Sequence, residues 1–187
     1  VDDLLGADYV LDTDKFAERD AQGNDIMKEN DLNKPGRRAY EGDVFGYDFR
    51  LNVNSANFWA KNQYTTKSLD FYYGFKLTYT DFQRKGKMRN GRYPDNSYGK
   101  GKNHSFVDFA VKGGITYKLD GRNFFTGNVS YATEAPLPNN SYISPRISDF
   151  TVDGLESGKV FSADLNYIFS FASLKGRVSV FRTNFYD

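Results

Sequence analysis

A basic segment that contains tyrosines, from Arg84 to His104, points most directly to ligand binding. It holds seven lysines and arginines against one acid, Asp95, a net charge of +6 with the histidine neutral. Cationic groups attract anions, and tyrosine rings add flat contact surfaces. The segment is therefore interpreted as a loop that captures an anionic ligand or contacts lipopolysaccharide; the alternative is a charged loop that is only solvated. The candidate substrate-binding residues are Arg89, Arg92, Tyr93, Tyr98, Lys100 and Lys102.

The first 37 residues have the opposite charge, with ten acids against five bases, a net charge of −5. Asp12 and Asp14 could offer oxygen ligands to Ca²⁺, but their spacing matches no complete calcium loop, which favours a solvated acidic loop. The chain has no Cys, and His104 is its one His. Thiol catalysis, a zinc site and a catalytic triad therefore lack their residues. We predict no enzyme activity, no metal and no cofactor.

The composition favours a sheet with one face rich in aromatic side chains and one polar, solvated face. The chain has 14 Tyr and 17 Phe, yet its mean hydropathy is −0.66. Its formal net charge of +1 gives no general attraction to nucleic acid, which we do not expect as a partner. No stretch approaches the roughly 18 continuous apolar residues of a membrane-spanning helix, so any membrane crossing would use strands.

Alternation of apolar and polar residues predicts an all-β, antiparallel, up-and-down meander of about six long strands. Residues 1–40 are expected to be an acidic extracellular loop, with a possible short helical turn from Thr13 to Arg19. The Asp120-Gly121 pair predicts a tight hairpin turn. Residues 41–187 are expected to form a partial transmembrane barrel with strands at about 44–64, 69–83, 105–118, 122–134, 158–170 and 176–187.

The apolar positions of these strands are predicted to face lipid. In the last strand the pattern does not decide which side faces lipid. On the polar side, Arg50, Lys76, Lys112 and Asp164 are expected to line a lumen, to contact groups inside it or to form solvated pairs. The residues predicted to face lipid are Phe71, Tyr73, Phe75, Leu77, Tyr79, Phe125, Val129, Leu165 and Tyr167.

The connections alternate between short and long. Those at 65–68, 119–121 and 171–175 are short, whereas those at 1–40, 84–104 and 135–156 are long. In a meander, this alternation puts all short turns on one rim and all long loops on the other, as in outer-membrane barrels. The strands also exceed the usual 5 to 6 residues of soluble sheets. The alternative is a soluble β-barrel or β-sandwich that binds ligand and holds its rings inside.

Three stretches carry a family resemblance. They are the proline-containing loop at 135–146, the segment at 152–167 that leads into a strand and includes its first part, and the run Asn90-Gly91-Arg92-Tyr93-Pro94-Asp95-Asn96-Ser97-Tyr98-Gly99-Lys100-Gly101. Over roughly residues 40–187 the chain resembles the barrel region of TonB-dependent outer-membrane receptors of the Bacteroidetes type.

The resemblance implies a section of a barrel of about 22 strands around a plug domain. It implies a receptor in the bacterial outer membrane that takes up an iron chelate, cobalamin or a glycan. The implied partners are outer-membrane lipid, the plug and remaining strands, and, through the plug, the TonB complex. We expect both chain ends to be internal to a longer barrel. The strands near 44–54 and 177–186 should then not pair with each other.

Overall fold

The computed structural model describes residues 13–186, which form an all-β chain with one short helix. The elements, in chain order, are β1 Lys15–Arg19, β2 Asp25–Glu29, β3 Phe49–Thr65, β4 Leu69–Gly86, β5 Gly99–Lys118, β6 Asn123–Glu134, α1 Pro138–Ser141, β7 Gly158–Ser170 and β8 Lys175–Tyr186.

The long strands form one antiparallel meander, as predicted. They lie side by side in sequence order from β3 to β8, making a six-stranded sheet. β3 and β8 stand at the two ends of this order and are not neighbours. The sheet is therefore open, and the predicted lack of pairing between the first and last strands is confirmed.

The leader contains a hairpin that the sequence interpretation missed. The region predicted as loop, with a helical turn from Thr13 to Arg19, instead holds β1 and β2, which pair from Lys15↔Glu29 to Arg19↔Asp25. Two ion pairs cross the hairpin, Lys15 to Glu29 at 3.0 Å and Lys28 to Glu18 at 2.6 Å. Five residues per strand are too few for alternation to stand out, so cross-strand charge, rather than an apolar face, marks this hairpin.

The long connection after β4 is shorter than predicted. The expected loop at 84–104 shrinks to residues 87–98, because β4 continues to Gly86 and β5 begins at Gly99. Polar and glycine residues fill both faces of these strand ends, so no period-two pattern marks them. β3 starts at Phe49 rather than near residue 44, and the loop predicted at 135–156 contains α1.

The turn between β5 and β6 is short, but it is not the mirror-image type that Asp-Gly favours. That type requires positive φ at both central residues, and Gly121 is not among the glycines with positive φ. The Asp120 carboxylate holds the turn instead. Its Oδ1 accepts the backbone N–H groups of Arg122 and Asn123, each at 2.7 Å.

Acid should loosen this turn. Hydrogen bonds from Asn123, above all from its side chain, lower the pKa of Asp120. The contribution of this carboxylate to stability is therefore complete above the usual Asp pKa and is lost as the pH falls through the lowered value in the folded state. We expect hydrogen exchange at the Arg122 amide, corrected for intrinsic rate, to speed up across that interval. In Asp120→Ala the exchange should be fast at every pH; unchanged protection in that variant would contradict the assignment.

The described residues divide into two compact units. The loop unit comprises Val1–Val53, Asp81–His104 and Leu137–Leu155, described from Thr13 onward. The strand unit comprises Asn54–Thr80, Ser105–Pro136 and Glu156–Asp187, described as far as Tyr186. Every fully buried hydrophobic residue of the described chain, namely Ala39, Phe82 and Tyr142, belongs to the loop unit. The strand unit has no such residue in its described part.

Candidate functional site

The strand unit has an apolar face that is exposed. The registers β5–β6, β6–β7 and β7–β8 place alternate residues of the four strands on this side, as in the row Ile115, Gly127, Leu165 and Val180. Leu165 and Val180 are each 70% exposed. The register also answers the question left open for the last strand, because Val178 and Val180 share the apolar face, while Phe181 and Phe185 lie on the opposite side.

β3 and β4 continue the apolar face. Phe58 of β3 lies against Phe75 of β4, and Tyr64 stacks on Phe71 with ring centroids 4.9 Å apart. The residues predicted to face lipid are accordingly exposed, except that Tyr167 is half-buried beneath its aromatic neighbours. No Asp, Glu, Lys or Arg occupies this face between 69 and 79, 107 and 117, 125 and 131, or 161 and 169. On β8 the same face carries Arg182, opposite Ala163.

A row of aromatic rings marks the end of the apolar face nearest the short turns. The rings of Phe125, Tyr167, Phe169 and Phe171 follow one another at centroid distances of 4.9, 5.7 and 6.0 Å. The Tyr167 hydroxyl donates a 2.7 Å hydrogen bond to Asn123. Rings with an apolar body and a polar tip are typical of the boundary between hydrocarbon and water.

The opposite side, the polar face, carries a hydrogen-bonded ladder across the strands. The Tyr72 hydroxyl donates to Asn128 Oδ1 at 2.9 Å, and Asn128 Nδ2 donates to Asp164 Oδ1 at 2.9 Å. Asn166 Nδ2 donates to the same Asp164 oxygen, and Arg177 Nη2 donates to Asn166 Oδ1 at 2.6 Å. We call Tyr72, Asn128, Asp164, Asn166 and Arg177 the polar ladder. Asn166 is only 5% exposed and Asp108 3%, so the buried side chains of the strand unit are polar.

Gly114 allows the ladder to pass over β5. A Cβ added there would fall well inside van der Waals contact of Asn128 Oδ1 and of the Tyr72 ring. The hydrogen bond from β4 to β6 therefore requires a residue without a side chain on the polar face of the strand between them. Gly113, on the apolar face, has room, since its added Cβ would come no closer than 3.5 Å to the Tyr72 carbonyl oxygen.

These two glycines give a matched test of the ladder. Both Gly114→Ala and Gly113→Ala add one methyl group to β5. We expect only Gly114→Ala to lower the free energy of unfolding, by about 1 to 3 kcal/mol, because it forces Tyr72 and Asn128 apart. Urea unfolding measures both. Equal losses in the two variants would show that the close passage at Gly114 is not important.

The candidate substrate-binding residues of the loop unit have different surroundings. Arg92 pairs with Glu18 at 3.1 Å and lies over the Tyr93 ring. Arg89 donates from Nε to the Pro94 carbonyl at 2.9 Å. The remaining three, Tyr98, Lys100 and Lys102, are exposed, and both lysines lie on β5, not in a loop.

The acidic leader and the basic segment neutralise each other in part. In addition to the pair between Arg92 and Glu18, the Asp31 carboxylate accepts the Arg89 backbone N–H at 3.0 Å. A hydrogen bond from Lys28 lowers the pKa of Glu18, with a smaller contribution from Arg92. Counting the charge of each segment separately therefore overstated the positive charge available to a ligand.

A buried arginine organises the loop unit. The Arg84 side chain is 1% exposed. Its Nε donates to the Pro145 carbonyl at 2.7 Å and its Nη1 to the Ser97 carbonyl at 2.8 Å, while its backbone N–H donates to the Tyr142 hydroxyl at 3.0 Å. One guanidinium thus ties together two connections that are distant in sequence, a role that no short motif signals.

The residues considered for metal binding have other roles where the structure describes them. Asp14 is buried and accepts hydrogen bonds from Asn30, Arg37 and the Gly46 backbone, whereas Asp12 lies outside the described residues. The His104 ring stacks on Phe82 at 5.5 Å. Within residues 13–186, no cluster of three acidic or histidine side chains could hold a metal ion.

Comparison with known proteins gives no relative. No family model, curated protein or solved structure matches this chain. Between residues 13 and 186, no helix has the length and hydropathy needed to cross a bilayer.

Sequence reasoning named parts of the polar face but missed how they are connected. Lys76, Lys112 and Asp164 were assigned to that side from alternation, and the structure places Asp164 in the ladder. The sequence pattern singles out neither Tyr72 nor Arg177. The available signal was the glycine at 114 on a polar face, since glycine within a strand often marks a close approach by another group.

Proposed function

We propose that this chain is a wall section of an outer-membrane β-barrel receptor of the TonB-dependent type. Its strands would supply part of the barrel wall and its long connections part of the outer surface that captures substrate for energy-dependent uptake. The supporting observation is the sheet of the strand unit, whose exposed face is apolar and carries no charged residue from β4 to β7, with Arg182 as the charged residue of that face on β8, and whose buried side chains are polar.

Hydrocarbon is the environment that suits this face. A contiguous apolar surface larger than a few hundred Å² is rare on monomeric soluble proteins and marks a protein or membrane contact. The apolar face extends over β3 to β7 and, on β8, over Val178 and Val180, and it ends in the aromatic row near the short turns. Lipid chains would cover its aliphatic centre, and the headgroup region would solvate the tyrosine hydroxyl groups.

The two sheet ends support a larger barrel. Among the described residues, β3 and β8 each have one neighbour in the sheet, and six strands are fewer than the eight of the smallest known transmembrane barrels. Phe181 and Phe185, on the polar face of β8, are 79% and 77% exposed. Further strands and an inner domain would cover these groups, so the plug and the remaining strands are the proposed partners.

Strand length supports the same assignment. A transmembrane β-strand needs about 9 to 11 residues, whereas β3, β4 and β5 have 17, 18 and 20. Such strands would cross the bilayer and extend beyond it on the side of the long connections. The choice of the TonB-dependent type, with an iron chelate, cobalamin or a glycan as cargo, rests on the sequence resemblance.

The soluble alternative has less support. It required the rings to form an internal core, but Tyr73, Phe75 and Leu77 are each between 46% and 49% exposed. Burying them would require a second layer of structure over the whole apolar face.

Detergent dependence tests the proposal. In micelles or liposomes, we expect the full chain to show the far-ultraviolet circular dichroism spectrum of β-strands and a cooperative unfolding transition. We expect it to aggregate when detergent is removed. A chain that stays monomeric, folded and cooperative in buffer without detergent would contradict the membrane assignment.

A further inference from the structure

The polar face of the strand unit has a cavity of about 250 Å³ that the polar ladder does not fill. Its floor is made of small residues, Gly74, Ala110 and Ala132. Trp59, Lys61, Lys76 and Lys112 stand around it, contributed by β3, β4 and β5. The cavity therefore combines an apolar floor, an aromatic ring and three ammonium groups on one side of the sheet.

The cationic groups of this cavity are available to a ligand. Lys76 and Lys112 are exposed and form no ion pair with any described residue. Lys61 is held by a neutral partner, since its Nζ lies 4.6 Å from the centre of the Tyr72 ring. The hydroxyl of that ring is fixed by Asn128, so the ladder positions Lys61. The nearby carboxylate on the same face of β5, Asp108, is 3% exposed and presents little surface to the cavity.

Trp59 adds a flat contact surface. Its side chain is 66% exposed although it lies on the polar side of β3. An exposed indole stacks against the flat face of a ring, and ammonium groups around it bind carboxylate, sulfate or phosphate substituents. The cavity is smaller than the roughly 300 Å³ at which ordinary ligand pockets begin, so it fits one ring with its substituents.

From this arrangement we propose that the cavity binds a ring compound carrying two or more anionic groups. The ring stacks on Trp59, and its anionic groups contact Lys76, Lys112 and Lys61. Sulfated sugars and aromatic polycarboxylates share this chemistry. The inference rests on the proposed function, because it assigns a ligand class to the wall that would line the lumen.

Trp59 is the one tryptophan of the chain, so its fluorescence reports on this site directly. The experiment titrates the full chain, folded in detergent, with N-sulfoglucosamine 6-sulfate, benzene-1,3,5-tricarboxylate, neutral N-acetylglucosamine and inorganic sulfate. We expect saturable fluorescence changes with one or both ring polyanions and none with the neutral sugar. The polyanion with the lower Kd shows whether the site prefers a sulfated sugar or an aromatic polycarboxylate.

Lysine variants separate a built site from general attraction. The double variant Lys76→Ala with Lys112→Ala should raise the Kd by about tenfold or more. The matched control, Lys67→Ala with Lys85→Ala, removes the same charge from outside the cavity and should leave the Kd within about twofold. Binding of neither polyanion, equal binding of inorganic sulfate, or equal loss in both double variants would overturn the proposal. Detergent dependence is measured before ligand is added. A chain that folds only in detergent but binds no polyanion would therefore contradict this inference and not the proposed function.

Discussion

Leu77→Arg should lower the stability of the folded chain in a bilayer by about 2 to 4 kcal/mol. Leu77 lies in the middle of β4 on the apolar face, 49% exposed between Phe75 and Tyr79. If hydrocarbon covers this face, an arginine there must bury its charge in lipid or distort the bilayer to reach water. Urea unfolding in phosphatidylcholine vesicles measures the loss.

The neighbouring residue provides the control for this substitution. Lys76 is adjacent in the chain but points to the polar face, so Lys76→Ala should be nearly neutral in the same assay. A larger loss of stability for Leu77→Arg than for Lys76→Ala would show that the apolar face contacts lipid and the polar face contacts water. A larger cost at position 76 than at 77 would mean that the rings form a water-excluded core and not a lipid surface.

Arg84→Leu should loosen the connection at Leu137–Leu155 and lower stability by about 2 to 4 kcal/mol, since hydrogen bonds from a charged group typically contribute about 1.5 to 3 kcal/mol each. The variant leaves the carbonyl groups of Pro145 and Ser97 without their donor, in a part-buried and a buried position respectively. We expect trypsin or chymotrypsin to cleave this connection much faster than in the parent chain, while the strand circular dichroism of the sheet is retained.

Arg84→Lys is the informative comparison for this site. Lysine keeps the charge but has no planar group to donate in two directions at once, so it should restore only part of the protection. Full protection by lysine would show that charge alone matters. Normal protease resistance of Arg84→Leu would contradict the view that this side chain organises the loop unit.

The sheet could be predicted from the sequence because its signal is local and repeated. Alternation from Leu69 to Tyr79 fixed which residues share a face, and Asp120-Gly121 located a turn. The β7 bounds at 158–170 agree with the structure. The strand ends were predicted less well, because Arg84 to Gly86 and Gly99 to His104 have no apolar face and therefore no period-two pattern.

The interactions that were missed join residues far apart in the chain. Tyr72 and Asn128 are separated by 56 positions, and Arg84 and Pro145 by 61. Such pairs depend on register and on the folding of long loops, neither of which a single sequence displays. The same applies to Arg92 and Glu18, whose pairing changed the interpretation of two charged segments. Single-sequence patterns predict faces and turns well, but they do not predict which loops meet.

The facing of β7 tests the central claim most directly. The chain has no cysteine, so single cysteines placed from Phe161 to Phe169 can each carry a nitroxide spin label without background. In liposomes, labels at 163, 165 and 167 should collide with oxygen, which concentrates in hydrocarbon. Labels at 162, 164 and 166 should collide with a water-soluble nickel chelate. This period-two alternation, with the apolar positions in lipid, is the predicted result; the opposite phase, or water accessibility at every position, would contradict the account.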